Sequence, residues 1–310
     1  MTEGMIGTQN QCVGVTNALG LTPTIHKIGL NQPWKTLTPW LGFEMPSTFT
    51  PRLNAPWPDL LIVSGRKSIA AARYIKKQSN GKTFTVFIQN PKINSNNFDM
   101  VAAPFHDNYT GENVIITNGA PNKITADALA NARLEFTPLF KHLPTPRIAV
   151  LIGGNSKTHT LTPEKTIEIA DKLSTLKAGL MITVSRRTGD ENIKILKDRL
   201  NQPHHYFYDG LDKNIPNPYL GMLGLADTII ATNDSVSMLS DAGTTGKPVY
   251  TIDLDGSSPR FEKLYDHLST LGIIRPLNNA AINSNLDHWT YEPLNDAKLI
   301  SDAIKTRLNL

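Results

Sequence analysis

Residues 226–252 read ADTIIATNDSVSMLSDAGTTGKPVYTI, and this stretch decides the fold class. Its β-branched run at 228–231 predicts a central strand of a parallel sheet, and the polar residues that follow are good helix N-caps. Small and apolar residues recur on one face of the next segment, which predicts a helix lying close to that sheet. Gly246 and the proline two residues later end the helix before a second strand at 249–252. The stretch therefore predicts a unit of strand, helix and parallel strand.

The turn between the first strand and the helix carries more hydroxyls and amides than a helix start requires. Its polar residues are Thr232, Asn233, Asp234, Ser235 and Ser237. In an open parallel sheet, ligands bind beyond the carboxyl ends of the strands, where helix N-termini attract phosphate. We expect this turn to bind a phosphate or a ribose, with Asp241 accepting hydrogen bonds from sugar hydroxyls. The alternative, a helix cap with surplus polar residues and a solvated Asp241, stays open from this stretch alone.

Length and composition restrict the class of protein. A chain of 310 residues fits two domains of about 150 residues each. No apolar run approaches the roughly 18 residues of a membrane-spanning helix, and the N-terminus does not resemble a signal peptide. The single cysteine, Cys12, excludes an internal disulfide and a cysteine-rich metal site. We therefore expect a cytoplasmic protein.

The charge of the chain favours anionic partners of small size. The net charge is +4, which suits nucleotides or acidic lipid headgroups. Lys and Arg are scattered rather than clustered into the polybasic block that is typical of a nucleic-acid-binding tail. We therefore expect no nucleic-acid partner, and a peripheral contact with the inner face of a membrane is compatible with the charge.

The N-terminal half predicts a second parallel sheet. Buried strands are expected at 59–64, 83–88, 100–103 and 114–117, and each of them ends in polar residues. A Gly-rich segment at 4–11 precedes the first helix without a strand to lead into it, so the first strand is expected to be missing or shortened. The candidate cleft residues of this half are Gly7, Thr8, Gln9, Arg66, Gln89 and Asn118.

His106 and Asp107 follow the third of these strands and are candidates for catalysis. Imidazole titrates near neutral pH, and an adjacent carboxylate can orient it as a general base. The alternative is a solvated or structurally hydrogen-bonded His106, because neighbouring residues on a loop often point apart.

Proline-rich residues near position 140 predict the boundary between the two domains. The predicted ranges are 1–140 for an N-terminal domain, 141–147 for the linker, 148–285 for a C-terminal domain and 286–310 for a helical segment that could cross back to the N-terminal domain. The predicted fold class is α/β, with two Rossmann-like parallel-sheet domains facing a cleft.

Two further strand ends of the C-terminal half suit a phosphate. The strand at 147–152 is followed by Gly153, Gly154, Asn155 and Ser156, a polar loop that can surround a phosphate in outline. The strand at 180–184 is followed by Arg186 and Arg187, whose guanidinium groups suit oxyanions. Each signal alone is equally consistent with a solvated loop, but the agreement of three strand ends favours a phosphorylated nucleoside. Neither GxxxxGK[ST] nor GxGxxG is present, so kinase-type ATP chemistry and ordinary NAD binding are unsupported.

The plan of two Rossmann-like halves resembles the glycosyltransferases of the GT-B type, and residues 226–250 resemble their C-terminal donor motif. In those enzymes a helix start holds the diphosphate and an acidic residue one turn later holds the ribose. The resemblance implies that Ser235 and Ser237 contact phosphate and that Asp241 contacts the ribose, although many of those enzymes carry the longer Glu at that position.

More closely, the chain resembles the mitochondrial fission ELM family over nearly its whole length. Bacterial members of that family are uncharacterised GT-B-like proteins, and the plant member acts in recruiting a dynamin-related protein to mitochondria. The segments that carry the resemblance are EGMIGTQNQ, PWPDLLIVSGRKS, FIQNPK, FDMVAAPFHD, NVIITNGAPNKIT, IGGNSKTHTL, SRRT, NPYLGMLGLAD, NDSVSMLSDAGTTGKPV and WTYEPL.

Two functions are consistent with these features. The first is a metal-independent glycosyltransferase without a cofactor, with the nucleotide-sugar donor on residues 148–285, the acceptor on residues 1–140 and His106 as the general base. The acceptor could lie at a membrane surface and is otherwise unknown. The expected donor-binding residues are Gly153, Gly154, Asn155, Ser156, Arg186, Arg187, Asn233, Asp234, Ser235, Ser237 and Asp241.

The second function is a membrane-associated scaffold that recruits a partner and has lost turnover. Its activity would survive mutation of Asp241 or His106, whereas a transferase would fail. A nucleotide-sugar epimerase is a poorer third interpretation, because the glycine fingerprint and a Tyr-x-x-x-Lys pair are both absent.

Overall fold

The computed structural model describes residues 1–212, 214–283 and 286–310 and divides into two compact units. Residues 1–123 and 295–310 form the first unit, and residues 124–294 form the second. Each unit is built on a parallel sheet with helices, which confirms the predicted α/β fold class.

The first unit contains a four-stranded parallel sheet in the order β3-β4-β5-β6. Up to residue 123 its elements are α1 (Ile6–Ala18), β1 (Gly29–Leu30), α2 (Trp34–Leu37), β2 (Phe49–Thr50), β3 (Leu60–Ser64), α3 (Ser68–Gln78), β4 (Phe84–Ile88), β5 (Met100–Pro104) and β6 (Val114–Thr117). The short strands β1 and β2 form a separate antiparallel pair, and Pro33, Pro39 and Pro46 lie between them in the chain.

The first strand is shortened to a single bridged residue, as expected. Thr2 pairs in parallel with Ser64 at the end of β3 and with Lys27. The chain then turns at Gly4, whose φ of +90° is in the left-handed region that favours glycine.

The prediction of a Gly-rich loop over residues 4–11 is wrong, because α1 begins at Ile6. Gly7, Thr8 and Gln9 therefore lie in the first turns of a helix. The physical reason is tertiary packing, since α1 buries one face against β3 and against the last helix of the chain. Such packing stabilises a helix more than the local propensities of its residues do.

The second unit contains a six-stranded parallel sheet in the order β12-β11-β10-β7-β8-β9. Its elements are α4 (Ala126–Phe140), β7 (Arg147–Ile152), α5 (Pro163–Ser174), β8 (Gly179–Val184), α6 (Asp190–Arg199), β9 (His205–Tyr208), α7 (Tyr219–Leu225), β10 (Thr228–Thr232), α8 (Val236–Thr244), β11 (Val249–Ile252), α9 (Pro259–Thr270), β12 (Ile274–Pro276) and α10 (Asn279–Asn283).

Helix α4 belongs to the second unit, although the predicted range of the N-terminal domain extends to residue 140. It packs along α7, where Gly221 permits the close approach of the two helices. A Cβ atom at Gly221 would lie 2.5 Å from the Cβ atom of Phe136. Because α4 packs against α7, residues 124–140 belong to the second unit and not to the first.

The last helix, α11 (Asp296–Leu308), is part of the first unit and packs against α1. Asp296 is 5% exposed, and its carboxylate accepts hydrogen bonds from the backbone nitrogens of Asn118 and Gly119 at 2.8 and 2.9 Å. These bonds attach the start of α11 to the turn that follows β6.

Lys247, which follows α8, is a half-buried cation next to the end of α7. Its Nζ atom donates to the carbonyl oxygens of Leu223 and Gly224 at 2.6 and 2.8 Å. Burial, with a smaller contribution from the positive charge of Arg133, lowers the pKa of Lys247 from 10.5 to about 8.

We expect the free energy of unfolding to depend on this lysine above pH 8. The folded state releases the proton near pH 8, whereas the unfolded chain keeps it until about pH 10.4, so the contribution of Lys247 to stability rises with pH between these values. The rise is at most about 1.4 kcal/mol per pH unit. Urea unfolding from pH 7 to 10 should show it in the wild type and not in Lys247→Met. The exposed Lys194→Met is the control, and an unchanged profile in Lys247→Met would contradict the expectation.

Candidate functional site

Three loops of the second unit meet at the carboxyl edge of its sheet. Strands β10, β7 and β8 are adjacent, so the loops that follow them lie side by side. The nitrogen of Gly153 donates to Oγ1 of Thr232 at 2.7 Å, and the nitrogen of Asn155 donates to the carbonyl oxygen of Arg187 at 3.0 Å. The structure thus brings together the three polar strand ends found in the sequence.

Asp234 is the common hydrogen-bond acceptor of these loops. Its side chain is 0% exposed and accepts from Nη2 of Arg187 at 2.7 Å. The same carboxylate accepts from Oγ1 of Thr232 at 2.7 Å and from the nitrogen of Gly154 at 3.1 Å. Asp234 therefore joins the three loops by charge-assisted hydrogen bonds.

The two glycines after β7 are required by close packing. A Cβ atom at Gly153 would overlap the carboxylate of Asp234, and one at Gly154 would overlap the carbonyl oxygen of Arg187 and lie 2.5 Å from the nitrogen of Thr188. The Gly-Gly pair thus lets the backbone after β7 lie directly against the other two loops.

The two arginines after β8 differ in their contacts. Arg187 pairs with Asp234, yet its side chain is still 41% exposed. Arg186 is exposed as a whole residue. The positive charge of this loop therefore reaches the surface next to Asp234, and Asp234 immediately precedes the N-cap of α8.

The start of α8 is built by Asn233 and Ser235. Ser235 is the N-cap, and its Oγ atom accepts from the nitrogen of Met238 at 3.4 Å. Asn233 is 6% exposed, donates to Oδ1 of Asp253 at 2.8 Å and accepts from the nitrogen of Leu254 at 2.9 Å. Asn233 therefore has a structural role, because it connects the end of β10 to the end of β11. Ser237 lies in the first turn of α8 and is half-buried.

Asp241 lies further along α8 and is half-buried. Its Oδ2 atom accepts a hydrogen bond from the hydroxyl of Tyr219 at 3.0 Å. Burial, and then the adjacent Asp241 carboxylate, raise the pKa of Tyr219 well above its ordinary value, so this hydroxyl stays protonated and continues to donate. Asp241 is therefore hydrogen-bonded to another side chain of the second unit and is not simply solvated.

The remaining residues of the loop after β7 organise its own backbone. Oδ1 of Asn155 accepts from the nitrogen of Leu161 at 2.8 Å. Oγ of Ser156 accepts from the nitrogen of His159 at 3.0 Å. Both side chains belong to exposed residues at the surface of the loop.

Sequence reasoning missed three residues that shape this site. Thr188 donates to the carbonyl oxygen of Gly153, and Nδ2 of Asn192 donates to the carbonyl oxygen of Thr188 at 2.9 Å. His159 is 1% exposed, and its ring packs on Phe261 at 4.6 Å between centroids. Burial lowers the pKa of His159, with the charge of Asp234 opposing the shift. The polar segments SRRT and SKTHTL could have indicated Thr188 and His159, whereas Asn192 lies outside both segments.

His106 lies in a single 3-10 turn, Phe105–Asp107, directly after β5. It is 4% exposed, while Asp107 is half-buried. Such burial limits direct contact between the imidazole and a substrate in this conformation. A catalytic role for the pair stays a prediction.

The other candidate residues of the first unit take part in contacts within that unit. Nη2 of Arg66 donates to the carbonyl oxygen of Lys35 at 3.1 Å, and Nε2 of Gln89 donates to Oε1 of Gln11 in α1 at 3.1 Å. The backbone nitrogen of Asn118 is held by Asp296, as described above. Their binding roles stay predictions, as do those of Gly7, Thr8 and Gln9.

Among the described residues, no group of three or more His, Cys, Asp and Glu side chains could hold a metal ion. Within the same residues, no helix is both long and apolar enough to cross a bilayer.

Solved structures with similar architecture have low sequence identity to this chain. MurG of Acinetobacter baumannii is 13% identical with a TM-score of 0.47, and the match covers 99% of this chain and 93% of that chain. MnaA of S. aureus in a co-structure with UDP is 13% identical with a TM-score of 0.48, covering 82% of this chain and 77% of that chain.

Sequence relatives extend over most of the chain. Mitochondrial fission protein ELM1 of Arabidopsis thaliana is 25% identical, and the match covers 99% of this chain and 90% of that protein. An uncharacterised protein of Rickettsia prowazekii is 29% identical over 82% of this chain and 80% of its own length. The family described as Mitochondrial fission ELM1 matches residues 6–308, and this chain therefore belongs to the mitochondrial fission ELM1 family.

Proposed function

We propose that the second unit binds a nucleotide-sugar at the carboxyl ends of β7, β8 and β10 and that the protein transfers the sugar to an acceptor without a metal ion. The observation that carries the proposal is the position of Arg187. Its guanidinium group is fixed by the buried Asp234, which immediately precedes the N-cap of α8, and the Arg187 side chain is 41% exposed.

The charges at this edge suit a diphosphate. The pair of Arg187 and Asp234 is neutral as a whole, so the attraction for an anion comes from the N-terminus of α8 and from Arg186. In this proposal the guanidinium group of Arg187 adds directed N–H donors. Donors fixed in this way stabilise the charge that develops on the leaving diphosphate, which is the role that a metal ion has in other transferases.

In this proposal Asp241 contacts the ribose of the donor. It lies six residues after the N-cap Ser235, which is about 9 Å along the helix axis at about 1.5 Å per residue. The Tyr219 hydroxyl donates to Oδ2 of Asp241 and orients its carboxylate. Carboxylate oxygens accept several hydrogen bonds each, which suits ribose hydroxyls in this proposal. In this proposal the first unit binds the acceptor, and His106 with Asp107 removes the proton from its attacking hydroxyl.

The burial of His106 favours a second candidate function, which is binding of the nucleotide without transfer. A general base has to reach the proton that it removes, and a side chain that is 4% exposed does so only after a rearrangement. A recruiting scaffold with a nucleotide site would need no such rearrangement.

Nucleotide binding is expected to depend on Asp241. Thermal-shift and calorimetric titrations with UDP, GDP, CMP, dTDP and their sugars should show saturable binding of one nucleotide to the wild type. Asp241→Asn keeps an acceptor for Tyr219 but loses the charge, and we expect about tenfold weaker binding, equivalent to about 1.4 kcal/mol. Asp266→Asn, on the exposed side of α9, is the matched control and should bind like the wild type.

The absence of any saturable stabilisation at millimolar nucleotide would overturn the proposal. If a nucleotide-sugar binds, release of free nucleotide in the presence of hydroxyl acceptors separates the two candidates. Turnover that His106→Gln abolishes supports the transferase, and tight binding without turnover supports the scaffold.

A further inference from the structure

Residues 37–45, which we call the apolar loop, expose large hydrophobic side chains in the first unit. Trp40 is 73% exposed, Phe43 59%, Leu37 46% and Met45 42%. Soluble proteins expose single hydrophobic residues routinely, but several in one short loop indicate an interaction surface.

The backbone of the apolar loop is fixed from within the first unit. Arg73 of α3 donates to the carbonyl oxygens of Pro39 and Leu41, both at 2.7 Å. Nε1 of Trp34 donates to the carbonyl oxygen of Phe43 at 2.5 Å. Arg66 donates to the carbonyl oxygen of Thr38.

These contacts hold the loop in place while Trp40 and Phe43 stay largely in solvent. The exposure is therefore part of an ordered structure and is not the consequence of a loose loop. An ordered loop binds a partner surface with little loss of conformational entropy.

The charge of the molecule is concentrated in the unit that carries the apolar loop. The first unit contains 14 of the 31 Lys and Arg residues and 8 of the 27 Asp and Glu residues, which gives a net charge of +6. The second unit contains 17 basic and 19 acidic residues, a net charge of −2. An anionic surface would therefore attract the first unit, which carries the apolar loop.

A cavity of about 460 Å³ lies beside the apolar loop and is lined by three cations. Gly42 and Glu44 of the loop form one side, and Arg73, Lys76 and Lys77 of α3 form the other. Arg73 pairs with Glu44, and Lys76 pairs with Asp99 at 2.7 Å. Lys77 is exposed at this cavity, so a phosphate group there would meet an accessible cation.

We propose that the apolar loop docks this protein on a membrane surface that contains anionic phospholipids. Trp40 and Phe43 enter the interfacial region, where amphipathic and aromatic side chains are favoured. The headgroup phosphates contact Lys77 and its neighbours at the cavity. A second copy of the chain is a poorer occupant, because two surfaces with the same positive charge repel each other. The proposal does not rest on sugar transfer.

The test is cosedimentation of the full chain with vesicles. Vesicles of phosphatidylcholine mixed with phosphatidylglycerol should sediment the protein, and vesicles of phosphatidylcholine alone should not. Binding should weaken as salt screens the headgroup charge. The double variant Trp40→Ser with Phe43→Ser should lose binding at least about tenfold, since both side chains contribute buried apolar area in the complex. Lys77→Gln should weaken binding about fivefold.

The matched control is Leu134→Ser, which removes an apolar side chain that is 77% exposed on α4 in the second unit. It should bind vesicles like the wild type. A blue shift of tryptophan fluorescence with anionic vesicles, absent in Trp40→Phe, would place that ring in the interface. All the replaced side chains are exposed, so we expect every variant to fold. Circular dichroism and the melting temperature of each variant check this.

Several outcomes would overturn the proposal. One is the absence of sedimentation with anionic vesicles, and another is an equal loss of binding in Leu134→Ser and in the double variant. Concentration-dependent self-association without lipid, abolished by the double variant, would assign the apolar loop to a second copy. Saturable binding of inorganic phosphate at the cavity without vesicle binding would assign the cavity to a soluble anion.

Discussion

Gly154→Ala is expected to destabilise the second unit by about 3 kcal/mol, the upper end for overpacking a well-packed interior. The added Cβ atom would overlap the backbone carbonyl of Arg187 and lie 2.5 Å from the nitrogen of Thr188. Backbone atoms cannot escape by a change of rotamer, so the loops after β7 and β8 would have to separate. That separation would also weaken the hydrogen bond from the nitrogen of Asn155 to Arg187, which is 3.0 Å long.

The measurement is the melting temperature, which should fall by roughly 6–12 °C for a unit of this size. Gly42→Ala is the matched control, because nothing lies within 4 Å of a Cβ atom there and its φ is not in the left-handed region. The control should change stability by less than about 0.5 kcal/mol. Equal melting temperatures of the two variants would show that the loops after β7 and β8 are not in close contact.

Asp234→Ala is expected to cost about 3 kcal/mol, because it removes a carboxylate that no solvent reaches. The mutation leaves the nitrogen of Gly154 and the hydroxyl of Thr232 without this acceptor and leaves Arg187 without its ion pair. Buried donors that lose their acceptor each carry a desolvation cost. Asp234→Asn should recover part of the loss, since the amide oxygen still accepts hydrogen bonds.

Asp171→Ala provides the comparison for a surface ion pair. Asp171 pairs with Arg199, and the two side chains are 57% and 43% exposed. Screening by solvent limits such a pair to less than about 1 kcal/mol. Chemical denaturation of the three variants should rank Asp234→Ala as the least stable. A cost for Asp234→Ala no larger than that for Asp171→Ala would contradict a buried network at this site.

The fold class was predictable because its signals are local. The runs at 147–152 and 228–231 are β-branched and apolar, and the structure places β7 at Arg147–Ile152 and β10 at Thr228–Thr232. Ser235 was a good N-cap by its chemistry and caps α8. The exception is α1, where packing on β3 and α11 produces a helix over glycine-containing residues whose composition indicates a loop.

The candidate site was predictable in its location and only partly in its roles. Parallel strands expose their carboxyl ends at one edge, so the loops after β7, β8 and β10 were expected to meet. Asp234 was expected to face a ligand, whereas its carboxylate contacts Arg187, 47 residues away in the chain. Arg66 was expected in a cleft, and its binding role there stays a prediction, while its guanidinium group donates to the backbone of the apolar loop.

By itself, the sequence determined the alternation of strands and helices, the caps and the polar strand ends, since these depend on residues within a few positions of each other. Only the tertiary structure decided which polar groups are buried, because burial depends on the contacts between distant segments. The same holds for the attachment of α11, where Asp296 meets Asn118 across 178 residues. Exposure of Trp40 is likewise a tertiary property, because Arg66 and Arg73 hold the backbone of the apolar loop in a conformation that leaves this ring in solvent.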